Sequence, residues 1–117
     1  MIGEPFRTIL ETVFAAEAFS STWKEELRAW EETAPGNRHL IMRQWAHLVL
    51  DPERHLEEYI HLTGDSLGHP ARMSEHMKRL WREYYEFEFS SMKEVEDYIA
   101  SEKATESKEY GRKGNQS

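Results

Sequence analysis

Residues 40–50 read LIMRQWAHLVL, and eight of the eleven are apolar: Leu40, Ile41, Met42, Trp45, Ala46, Leu48, Val49 and Leu50. The run is far shorter than the ~20 apolar residues a bilayer-spanning helix needs. Arg43, Gln44 and His47 keep the polarity to one edge. A helix that is apolar around most of its circumference is usually covered on several sides. The stretch therefore predicts a central helix against which the rest of the chain packs. Its ends are marked. Ala34-Pro35-Gly36-Asn37 is turn chemistry before it, and Asp51-Pro52 offers an N-cap and a first-turn proline after it. The Asp-Pro pair favours a turn into a new helix over one kinked rod.

Outward from that centre the period stays helical. Phe6, Ile9, Leu10, Val13 and Phe14 follow the i, i+3, i+4, i+7, i+8 template, with Phe19 extending the face. Thr22 and Glu25 have the spacing of a capping box, and Trp23, Leu27 and Trp30 form the next stripe. Leu56, Tyr59 and Ile60 make the next apolar face, and residues 63–69, TGDSLGH, read as a loop. Met73, Met77, Leu80, Trp81 and Tyr84 make the best stripe in the chain. Tyr85, Phe87 and Phe89 alternate with Glu86 and Glu88 in a strand-like way, but no second strand candidate exists to pair with them. A helix running to about Phe89 is the expectation. Ser91 and Glu94 repeat the capping spacing before a last helix faced by Met92, Val95 and Ile99. The sum is an all-α, compact bundle of five to six short helices, a single domain over residues 1–104. Residues 105–117 lose their apolar content and read as a flexible polar tail.

The totals bound the function. The 117 residues hold 22 Asp and Glu against 15 Lys and Arg, a formal net charge of −7. That charge disfavours non-specific binding to nucleic acid or anionic lipid, and it suits a basic protein partner. With no cysteine, disulfides, thiolate metal sites and a Cys nucleophile are excluded. The N-terminal MIGEPFRTILETVF carries Glu4 and Glu11 and lacks a signal peptide's basic start and clean apolar run. A cytoplasmic setting is expected, the host's cytoplasm if the chain is phage-encoded. Small acidic helical chains of this composition are common among phage and mobile-element proteins, a compositional analogy.

Few constellations here carry chemistry. His55, Glu58 and His61 stand at i, i+3 and i+6, and Glu58–His61 is a Glu-x-x-His. Di-iron bundles need that pattern twice with two further Glu, so only a weak mononuclear metal candidate remains. The plainer reading is a solvated helix face. His47, inside the apolar run, reads as a partly buried histidine with one hydrogen-bond partner rather than an acid–base group. Ser66 with His69 lacks any nucleophile motif around it. Phosphate-cradling and dinucleotide-binding glycine patterns are missing too. No enzyme activity and no cofactor is expected.

Two features point to interaction instead. One is the acid surface, Glu25, Glu26, Glu31 and Glu32 on one helix and Glu83, Glu86, Glu88, Glu94, Glu96 and Asp97 later. The other is the aromatic segment Trp81, Tyr84, Tyr85, Phe87 and Phe89. At 100° per residue a continuous helix cannot turn all five rings to one core, so Phe87 or Phe89 is expected to leave it, ringed by Glu83, Glu86 and Glu88. Apolar anchors within an acidic rim suit a basic partner surface, or a two-fold homodimer. The sequence thus predicts a small non-enzymatic protein-binding module, an adaptor, inhibitor or assembly factor. Metal binding through His55, Glu58 and His61 is the alternative.

Overall fold

The computed structural model describes residues 2–65 and 68–116, with 106–116 described by backbone alone. The described residues form six helices: α1 (Phe6–Thr12), α2 (Trp23–Glu32), α3 (Asn37–Leu50), α4 (Pro52–Thr63), α5 (Pro70–Tyr85) and α6 (Met92–Gln116). They contain no strand, and no helix is long and apolar enough to cross a membrane. The tail expected from residue 105 lies almost wholly outside the described side chains.

The centre is α3, which packs on each of the other five helices. Gly36 opens it in the left-handed region at φ 83°, a conformation that costs a residue with a Cβ. Ile41, Met42, Trp45, Ala46, Leu48 and Val49 are buried. Trp45 is fully enclosed between Phe6, Phe14, Trp81 and Tyr85, with ring centroids 5.3–5.7 Å away. Its indole N–H donates to the Met77 carbonyl at 3.1 Å, so the buried ring also satisfies its one polar atom. Two residues of the run depart from expectation. Leu40 lies 39% exposed, and His47 is on the surface rather than partly buried.

Two helices stop sooner than their apolar period suggests. α1 ends at Thr12, because Phe14 bonds back to the Ile9 carbonyl and the Ala16 N–H is taken by Thr63 O at 2.8 Å. The chain is thereby drawn towards the end of α4. α5 ends at Tyr85, with Glu86 at φ 64° in the left-handed region and its N–H on the Arg82 carbonyl. That is an αL C-cap without glycine, and it reverses the chain. Asp51 and Pro52 separate α3 from α4, so the turn prevails over the kinked rod, although the Asp51 side chain makes no capping bond. The Thr22 side chain makes none either. His69 caps α5 instead, its Nδ1 accepting from Ala71 N–H at 3.2 Å.

Candidate functional site

The expected exposed aromatics are not exposed, and the C-cap at Glu86 is the reason. Chain reversal there carries Phe87 and Phe89 back over Trp81, at centroid distances of 5.6 and 4.6 Å. Phe87 stacks on Tyr98 of α6 at 4.1 Å. Trp81, Tyr85 and Phe89 are buried, while Tyr84 and Phe87 are half-buried against the core. A continuous helix to Phe89 would have splayed these rings, and the break after Tyr85 removes that need. Glu83, Glu86 and Glu88 stay exposed around the segment, and Glu88 pairs with Arg82 at 3.1 Å. The carboxylate rim exists, but the apolar anchors it was expected to surround have gone into the core.

The histidine candidate does not assemble either. Glu58 is already engaged, accepting the Ile2 N–H at 2.8 Å and pairing with Arg7. His55 is buried and His61 exposed, so they do not face one point. No group of three or more His, Asp or Glu comes together in a metal-holding arrangement among the described residues. Burial holds the His55 imidazole below its ordinary pKa, and its Nδ1 has no partner among the described residues. Ser66 lies outside the described residues, and His69 serves as a helix cap.

One member of the acid surface is internal. Glu31 is buried, accepting Tyr84 and Tyr85 hydroxyls at 2.8 and 2.7 Å and the Arg38 guanidinium at 3.1 Å. Arg38 spans from there to Glu102 on α6, donating at 3.1 and 2.8 Å, and lies over the Tyr85 ring at 4.9 Å. His39 completes the set with a 2.9 Å contact to Glu102. Burial opposes ionisation of Glu102, but the hydrogen bonds from Arg38 and His39 hold it below the usual carboxylate range. Burial and the Glu31 charge push the Tyr85 phenol up. Every charged partner in this network is occupied, so it acts as a clamp joining α2, α3, α5 and α6. The signal for Glu31 was present in the sequence, since Trp23, Leu27 and Glu31 are spaced four apart on one stripe.

The outer face of α5 carries a feature that its sequence does not announce. Arg72, Lys78, Arg79 and Arg82 line a cleft of about 480 Å³ with His76, Glu75 and Glu88. Arg79 donates to His76 Nδ1 at 2.9 Å, and burial followed by that positive charge lowers the His76 pKa. Its four cations outnumber its two carboxylates, Glu75 and Glu88.

A different surface is apolar and open. α1 and α2 both rest on α3 without a packed interface between them. Between them runs a trough of about 390 Å³ lined by Thr12 and Val13 on one wall and Glu26, Ala29, Trp30 and Thr33 on the other. Val13 is buried and forms the floor; Trp30 is half-buried, its ring shared between core and trough. Nearby, Phe19 is 43% exposed and stacks on Trp23, two turns before Trp30 on the same face of α2. The lining holds one carboxylate and no cation. Glu11, Glu25 and Glu32 are exposed and each adjoins a lining residue in sequence. No family model matches the chain, and no curated protein or solved structure matches it.

Proposed function

We propose that this chain is a non-enzymatic protein-binding module that acts by occupying a partner's surface, as an adaptor, inhibitor or assembly factor. The observation that supports the reading is the trough between α1 and α2. It is an apolar recess walled by a tryptophan and open to solvent, with one carboxylate, Glu26, in its lining. Half-buried tryptophans in such recesses are frequent interface anchors, and truncating one costs ~2 kcal/mol or more of binding. Glu88 lines two other recesses, but both carry Lys78, and the larger adds Arg72, Arg79 and Arg82, in place of an open apolar face.

The test keeps the fold intact and fills the trough. Ala29 is exposed and lines it, so Ala29→Trp occupies the space without removing a core contact. Capture from native lysate and mass spectrometry should recover proteins with the wild-type chain and lose them with Ala29→Trp. Leu40→Ser, at the exposed position on α3, should retain them. Equal recovery by all three chains would remove the trough from consideration.

A further inference from the structure

We propose that the cleft along the outer face of α5 binds a compact polyphosphate group, either free or as the phosphate part of a nucleotide. The surface is a different one from the trough, and the proposal does not rest on the protein-binding reading.

The charge lies in the cleft itself. Arg72, Lys78, Arg79 and Arg82 all line it, against the carboxylates Glu75 and Glu88. On a chain of net charge −7 this is a local reversal of sign. At about 100° per residue, Arg72, His76, Arg79 and Arg82 fall within about 120° of the helix circumference, on the side away from the buried Met73, Met77 and Leu80. With a rise of about 1.5 Å per residue, the row is about 15 Å long. The chain reversal at Glu86 brings Glu88 to the lining, so the row borders a recess of about 480 Å³ rather than a bare convex ridge.

The cations are available and one is braced. Arg72 and Lys78 make no ion pair or hydrogen bond with any described residue. Arg82 is engaged only by Glu88 at 3.1 Å, in an exposed pair that a multiply charged anion readily displaces. Arg79 donates to Nδ1 of the half-buried His76 at 2.9 Å. Burial, then the Arg79 charge, lowers the His76 pKa, which keeps the imidazole neutral and able to accept that bond. The ring therefore orients the guanidinium before any ligand arrives, and its own proton is left on Nε2 as a further donor.

The lining also sets the ligand class. Guanidinium forks match phosphate oxygens in paired hydrogen bonds. The cleft holds no Phe, Tyr or Trp and no aliphatic side chain. It offers neither a platform for stacked bases nor the apolar centre of a protein interface. Length is bounded too. A long polyanion running on past Arg82 meets the exposed Glu83 and Glu86 and is repelled, whereas a short phosphate chain ends before them.

The experiment titrates the full chain with inorganic triphosphate by calorimetry, in low-salt, metal-free buffer. Saturable binding is expected, weakening as salt is added, with orthophosphate at least about tenfold weaker. Arg79→Gln with Arg82→Gln changes two exposed positions and should weaken triphosphate binding at least about tenfold. Lys24→Gln with Arg28→Gln removes the same charge from α2 and should leave binding essentially unchanged. Circular dichroism melts verify that each variant folds. Adenosine triphosphate bound at least about tenfold more tightly than triphosphate identifies a nucleotide as the source, and equal affinity identifies the free polyphosphate. No saturable binding of triphosphate overturns the proposal, as does orthophosphate binding equally well. Equal losses in the two double variants overturn it as well, because net charge alone is then at work. Tighter binding of an oligo-aspartate peptide than of triphosphate replaces it with an acidic protein segment as the occupant.

Discussion

Two aromatic clusters meet at Trp45, and they are not equally closed. On the α5 side, the reversal at Glu86 buries Trp81, Tyr85 and Phe89 and leaves Phe87 half-buried under Tyr98 of α6. On the α1–α2 side, Phe14, Phe19 and Trp23 stack in sequence, yet Phe19 remains 43% exposed and Trp30 lines an open trough. The difference lies in the segments that border each cluster. The N-terminal part of α6 lies over the first, with Tyr98 on Phe87. The second borders a seven-residue helix and a linker that is pulled away towards Thr63. A closed cluster stores stability, whereas an open one leaves apolar surface in water.

That contrast is sharpest in a double substitution. Phe87→Ser with Phe89→Ser removes one buried and one half-buried ring and is expected to cost more than ~4 kcal/mol in urea melts, most of the stability of a marginal small domain. A loss under ~1 kcal/mol would show that the rings are not sealed and would return residues 81–89 to the binding surface.

The polar clamp comes next. Glu31→Ala leaves two tyrosine hydroxyls and Arg38 without their shared acceptor. Breaking a buried ion pair costs ~3–5 kcal/mol; Arg38 is about one-third exposed, so solvent screening lowers the expected loss to ~2–4 kcal/mol. Chemical denaturation measures it. A change below ~1 kcal/mol would mean the clamp adds little to the closed side.

A smaller effect depends on pH. The folded His55 pKa lies below the ordinary value, so the native state binds fewer protons near pH 6 than the unfolded chain does. Its contribution is complete above the unfolded value of ~6.5 and is lost as pH falls through it. Stability should therefore drop between about pH 7.5 and 5.5, the interval spanning that unfolded value. His55→Leu should flatten the drop, leaving the part that His76, shifted the same way, supplies. An identical slope in the variant would show that His55 is not desolvated.

The smallest expected change is at the open cluster. Phe19→Ser should alter stability by about 1 kcal/mol, less than a core truncation, since the ring is already 43% exposed. A loss above ~2 kcal/mol, comparable to a core truncation, would mean the α1–α2 side is closed as well.

Much of the architecture is legible in the residues alone. The all-helical class, the central 40–50 helix and the turn at Asp51-Pro52 follow from hydrophobic period and cap chemistry, which act over one or two turns and so are written locally. Trp45 at the centre is of this kind. The Ser91 signal is legible too, in altered form: Glu94 N–H takes the Ser91 hydroxyl, while the Glu94 carboxylate reaches back to Ser90 rather than Ser91.

Only the packed molecule decided where a helix stops without a local reason and where a polar group turns inward. Nothing in the residues around Glu86 demands a left-handed C-cap; the reversal is set by the burial it gives Phe87 and Phe89 against Trp81 and Tyr98. Glu31 shares the Trp23–Leu27 stripe, but only the tertiary structure supplies the Arg38, Tyr84 and Tyr85 partners that let its charge turn inward, the two tyrosines from far off in sequence. The trough between α1 and α2 likewise belongs to no segment. It is the space left when two amphipathic helices seat on α3 without packing on each other. Periodicity reports which face of a helix is apolar, and only the tertiary arrangement determines which of those faces remains uncovered.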